Sequence, residues 1–134
     1  MKGRLFISLV VVVLFISGME VYAHHSFAAT YLLEKEKIRT VEGKLVQIMF
    51  RNPHSFFHVE FVDENGQTSK VVVEAQGATQ ARVYGGKRPL VTGDVIKVTF
   101  NPARLAESHR GRLVTIVRPS DGWSWGTGEG ETVQ

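Results

Sequence analysis

The chain has 134 residues, 43% hydrophobic and 22% charged, with 13 glycines, 4 prolines and no cysteine. That length suits one domain and that composition excludes collagen-like, coiled-coil and wholly disordered chains. Without cysteine, disulfide frameworks, thiolate zinc sites, iron–sulfur clusters, cysteine nucleophiles and an N-terminal lipid anchor on cysteine are excluded too, and the net charge of +3, with signs interspersed, does not predict nucleic-acid binding.

The N-terminus reads as an address. Lys2 and Arg4 precede an apolar run from Leu5 to Ile16 that is broken only by Ser8, and Val21 and Ala23 stand at the −3 and −1 positions of a cleavage site. This layout predicts a secretory signal peptide over 1–23. The alternative is an uncleaved anchor, but the run is short of the roughly 20 apolar residues a spanning helix needs. Cleavage after Ala23 would give an exported protein, periplasmic or secreted, with no stable membrane span. Residues 24–39 are then a lead-in, in which Phe27, Tyr31, Leu32 and Leu33 have the character to pack and 34–37 alternates in charge.

The β pattern begins at Thr40. Residues 40–50 place Val46, Ile48 and Phe50 on one face at period two, and Gly43 predicts a bulge or sharp bend. Asn52-Pro53 makes a turn, and Ser55 to Val62 is the clearest strand, with Phe57, Val59 and Phe61 on one side and Phe56, His58, Glu60 and Val62 on the other. Asn65-Gly66 predicts a hairpin into a third strand from Ser69 to Ala75, with Val71 and Val73 inward. Residues 78–84 suit two helical turns ended by Gly85-Gly86. A fourth strand runs from Val95 to Phe100 and is expected to end at Asn101-Pro102; a fifth spans Arg112 to Val117, with Val114 and Ile116 inward. In the Gly-rich tail, 121–134, Trp123 and Trp125 are expected to cap a barrel end, and the chain beyond Trp125 to be disordered.

The order β-β-β-α-β-β over residues 40–120 predicts an all-β domain with one short helix, a small OB-fold-like Greek-key barrel. A split barrel or small sandwich would use the same elements. Several segments also resemble a bacterial family of exported proteins of unknown function numbered 6152. They are His24-His25-Ser26-Phe27-Ala28-Ala29, Val41-Glu42-Gly43-Lys44, Asn52-Pro53-His54-Ser55, and Gly93-Asp94 with Asn101-Pro102-Ala103-Arg104. The resemblance implies an exported bacterial protein with a β-barrel-like domain, and it implies no activity.

Two functions remain. The first is a non-enzymatic binding module. OB-folds bind on the face of strands two and three, where Phe56, His58, Lys70 and Val72 would point outward, with Arg51 and Arg104 at the rim. The expected partner is a small envelope ligand or an envelope protein rather than nucleic acid, since one or two aromatics on a chain of near-neutral charge do not suit single strands; a monomer and no resident cofactor are expected. The second is copper-type metal binding. Cleavage after Ala23 would make His24 N-terminal, so that its α-amine and ring chelate one ion with help from His25, His54 or His58. If His54 and His58 shared one extended strand, four steps of about 3.3 Å would hold them too far apart for one metal. Catalysis is not expected: Glu42, Glu60 and Glu74 sit on strands with no facing partner evident, and neither Ser26 nor Ser55 has a recognisable acidic orienter or oxyanion loop.

Overall fold

The computed structural model describes residues 27–75, 77 and 89–126. The expected leader over 1–23, the His24-His25 pair, the helix expected over 78–84 and the chain after Gly126 lie outside the described residues. Residues 27–30 are helical, and the barrel unit begins at Tyr31.

Six strands build this unit: β1 (Arg39–Met49), β2 (Ser55–Val62), β3 (Thr68–Ala75), β4 (Val95–Pro102), β5 (Arg110–Arg118) and β6 (Trp123–Gly126). Antiparallel ladders join β1 to β2, β2 to β3, β1 to β4 and β4 to β5. A parallel ladder between β3 and β5 closes these five strands into a barrel. The cyclic order β1-β2-β3-β5-β4 is that of an OB-fold-like barrel, as the element order predicts. β6 pairs with the second half of β5, beyond the stretch that pairs with β3.

Alternation along β2 and β3 fills the interior. Phe57, Val59, Val71 and Val73 are buried and meet Ile96, Val98 and Phe100 from β4. The Asp63–Gly66 turn joins β2 to β3, its Asp63 carboxylate accepting the Asn65 and Gln67 amides at 2.9 and 3.0 Å. β1 serves two neighbours: its first half lies on β4, its second on β2, and Gly43 and Lys44 pair with both. A Cβ on Gly43 would strike the Glu60 carbonyl and lie 2.8 Å from Phe61 Cβ, so a glycine is needed where β2 comes against β1.

The bulge falls elsewhere than the sequence predicts. Leu45 pairs with Val59 and Gln47 with His58, which leaves Val46, not Gly43, as the extra residue. An extra residue inverts the alternation that follows it. Leu45 is therefore fully buried and Ile48 packs on the core, whereas Val46, expected on the same face as Ile48, is 37% exposed. Phe50, also expected there, lies past the end of β1 and is 41% exposed, with its ring edge-on to Phe57 at 6.3 Å. β5 shows the same effect. Val114 is skipped opposite the Thr99–Phe100 step, so Leu113 and Ile116 enter the central cluster, with Val114 buried outside it.

On both flanks the described residues extend the barrel further than the period-two pattern reaches. Asn52-Pro53 separates β1 from β2 as expected, but Asn101-Pro102 does not end β4. Pro102 pairs with Gly111, and its carbonyl accepts the Leu32 amide at 2.9 Å. Asn101 Nδ2 donates to the Leu32 carbonyl at 3.0 Å, and Tyr31 bridges to Ala103. Trp123 and Trp125 belong to β6 and pack on the core, Trp125 with its ring centre 5.7 Å from that of Phe57. Buried Arg118 secures the opening of β6: it donates to both oxygens of Asp121 at 3.0 and 2.9 Å and to Asp94 at 2.8 Å, with Trp123 against its guanidinium.

The bulge at Val46 sets a clear contrast between neighbours. Leu45→Ala is expected to cost about 2–5 kcal/mol in denaturant unfolding, and Val46→Ala to stay within about 0.5 kcal/mol. A larger loss at Val46 than at Leu45 would contradict the register.

Candidate functional site

The outer face of β2 and β3 carries four of the expected binding residues in two rows. His58 stands opposite Val72, and Glu60 opposite Lys70, to which it is bridged at 3.4 Å. Phe56 stands opposite Glu74 at the end of the face next to the β1–β2 loop. Phe56, His58 and Val72 are half-buried and Lys70 is exposed. Arg51 is exposed in the β1–β2 loop and Arg104 in the β4–β5 loop, the two loops that flank the binding face of an OB-fold.

At that end the structure gathers residues from four stretches of chain around Glu74. The Tyr31 hydroxyl donates to Glu74 Oε2. His54 Nδ1, from the β1–β2 loop, lies 2.5 Å from Glu74 Oε1. Arg110, at the start of β5, places Nη2 3.8 Å from Oε2, and its guanidinium sits over the Phe56 ring at 5.7 Å from the centroid. Arg112 is in register with Glu74 across the parallel ladder. Alternation sends Arg110 and Arg112 to the outer side of β5, because Gly111 between them is buried against Phe100.

The carboxylate thus accepts from a phenol, contacts an imidazole and pairs at longer range with a guanidinium, and it is itself largely shielded, with 12% of its side chain exposed. A charge so placed is tolerated because it is paired and hydrogen-bonded. Burial first, and then the bond to Glu74, raise the Tyr31 phenol above its ordinary range. Burial also lowers Arg112, against the pull of Glu74 and Tyr31, yet a guanidinium stays charged at any physiological pH. His58 is lowered by burial and by Lys70, which favours the neutral ring, and its Nε2 is buried with no hydrogen-bond partner.

Of the histidines weighed as metal ligands, His24 and His25 lie outside the described residues. His54 and His58 have different surroundings, one against Glu74 and the other opposite Val72 on β2. Among the described residues no group of three or more His, Asp or Glu side chains is gathered as a metal would require. Ser55 is fully buried with its hydroxyl unpartnered, on the inward side of β2, away from the face that carries His58.

Tyr31, Glu74, Arg110 and Arg112 are the residues that sequence reasoning leaves out of the site. Glu74 is two positions beyond Val72 on the same face, so period two alone includes it. The Arg110-Gly111-Arg112 alternation is a similar signal. What the sequence does not carry is the parallel register that sets β5 beside β3 and so brings those charges together.

With this geometry in view, the comparisons place the chain. A family model described as a family of unknown function (DUF6152) matches residues 12–112. The chain belongs to this family. The match includes β1 to β4 and the Glu74 cluster as far as Arg112, and stops before most of β5 and β6. No curated protein matches the chain. Among the described residues no helix is long and apolar enough to cross a membrane.

The raised Tyr31 phenol gives this family member a testable alkaline response. The folded state keeps a proton that the unfolded chain releases near pH 10, so this contribution is complete below about pH 10 and declines as the pH climbs above it. Unfolding free energies measured across that range should fall more steeply for the native chain than for Tyr31→Phe. Parallel profiles would show that neither burial nor Glu74 raises the phenol in the folded chain.

Proposed function

We propose that the protein is an exported, non-enzymatic binding module that takes a small envelope ligand, or a segment of an envelope protein, on the outer face of β2 and β3. The observation that supports this reading is the composition of that face next to the β1–β2 loop. Phe56, His58 and Val72 form a half-buried apolar and aromatic platform, and Arg110 is held against the Phe56 ring. A mostly apolar and aromatic lining with a few fixed polar groups is what small-ligand sites have in common. Its position between the two loops is the one OB-folds use, which is an argument from fold.

Export rests on the N-terminal pattern of Lys2, Arg4, the apolar run and Ala23. Mass spectrometry of the protein recovered from the envelope should give a chain that starts at His24. A chain retaining Met1 would remove the export reading.

A thermal-shift screen of sugars, sugar acids, amino acids and short peptides tests the binding reading. Compounds that stabilise the exported chain should lose most of their effect with Phe56→Ala and His58→Ala. Hits that both variants bind as well as the native chain would move the site off this face.

A copper-type site is the second reading, and one observation favours it. His54 Nδ1 is held against Glu74, and a carboxylate on one ring nitrogen is the usual support of a histidine that binds metal through the other. Cu(II) titration of the chain beginning at His24, beside a chain with one extra N-terminal alanine, tests it. Tight binding lost in the extended chain would support the site, and equal weak binding by both would remove it.

A further inference from the structure

Charge at the loop end of the β2–β3 face narrows the ligand. Arg51 in the β1–β2 loop, Arg104 in the β4–β5 loop, and Arg110 and Arg112 on β5 are four guanidinium groups. Against them stand two carboxylates, Glu74 on β3 and Glu107 in the β4–β5 loop. The neighbouring 34–37 stretch is balanced, two residues of each sign, and Glu60 is already bridged to Lys70. This end of the face therefore carries an excess of positive charge that the chain as a whole, with 16 basic and 13 acidic residues, shares only faintly.

The geometry also bears on the class of anion. Glu74 demonstrates that Tyr31, His54 and Arg110 converge on a carboxylate. Arg110 is only loosely engaged by it, at 3.8 Å, and 45% of its side chain remains exposed. Its stack on Phe56 holds the guanidinium in place, which lowers the entropy lost when it binds. Arg112 projects from the same side of β5, two residues along, about 7 Å away at strand spacing. Planar guanidinium forks bind carboxylates in paired hydrogen bonds.

Resting on the binding reading above, we infer that the ligand of this face is a small carboxylate-bearing molecule, which docks on Arg110 and Arg112 beside Glu74 and extends over Phe56 toward Val72. Glu74 then has two parts to play. It holds Tyr31 and His54 in place, and its own charge competes with the incoming carboxylate, so that only a ligand able to engage both arginines is retained.

The test uses the exported chain, labelled with nitrogen-15, and follows amide shifts during titration. The probes are succinate, butane-1,4-diol as its uncharged counterpart of like length, inorganic phosphate, and a short single-stranded DNA. Succinate should shift the amides of Phe56, Val72, Arg110 and Arg112 while the diol leaves them still, and its affinity should drop as salt is raised. Arg112→Gln should weaken succinate about tenfold, and Glu74→Gln should tighten it by removing the competing charge. Equal shifts from the diol, or phosphate or DNA binding these residues more tightly than succinate, would overturn the carboxylate assignment and leave the face a binding site for another class. Succinate that shifts only residues remote from β2, β3 and β5 would overturn the assignment and count against the face itself.

Discussion

Everything distinctive in this barrel depends on a parallel ladder of three residue pairs, Val72 with Arg110, Val73 with Gly111 and Glu74 with Arg112. The other ladders join strands that are antiparallel and could form an open sheet. This one closes it, and closure leaves no free edge between β3 and β5 to pair with another chain. Closure demands that β5 come in close over the core at Gly111. There a Cβ would collide with the Phe100 ring, so a single glycine permits the seam. The Val72 amide, bonded to the His109 carbonyl at 2.9 Å, fastens its lower end.

The same seam makes the site. Residues that alternate outward on either side of a parallel ladder are forced into adjacency, and here those residues are Glu74 on β3 and Arg110 and Arg112 on β5. One carboxylate among several donors then recruits what lies nearest: His54 from the β1–β2 loop and Tyr31 from the segment that leads into the barrel. The lead-in is held a second time by Leu32, which exchanges hydrogen bonds with Pro102 and Asn101. Fold closure, the seating of Tyr31 and Leu32 and the shape of the binding face are consequences of one arrangement. At the other end, Arg118 plays the equivalent part for β6, tying Asp94 and Asp121 together beneath Trp123.

Local patterns in the sequence are followed wherever the chemistry is local. The alternation in β2 and β3, the Asn65-Gly66 turn and the Asn52-Pro53 break each need only neighbouring residues, and each stands where the sequence puts it. The outward set of Phe56, His58, Lys70 and Val72 follows from the same alternation. Val46 and Val114 depart because a bulge is a property of two strands together, and one strand read alone has no means of marking it. Asn101-Pro102 departs because the proline falls where its missing donor costs nothing while its carbonyl serves Leu32. Tyr31 and Glu74 are 43 residues apart, and no spacing rule connects them until β5 is in register with β3. The resemblance carried by the segments at Val41, Asn52 and Asn101 is matched by the family model, and that family brings no activity with it.

The central claim is that Glu74 organises this end of the barrel through contacts beyond its own strand. Amide hydrogen exchange in Glu74→Ala tests it directly. The account predicts that the Leu32 amide, which rests on Pro102 beside Tyr31, loses protection, while the core amides of Leu45 and Val59 exchange as in the native chain. Unchanged protection at Leu32, or an equal loss at all three amides, would contradict it.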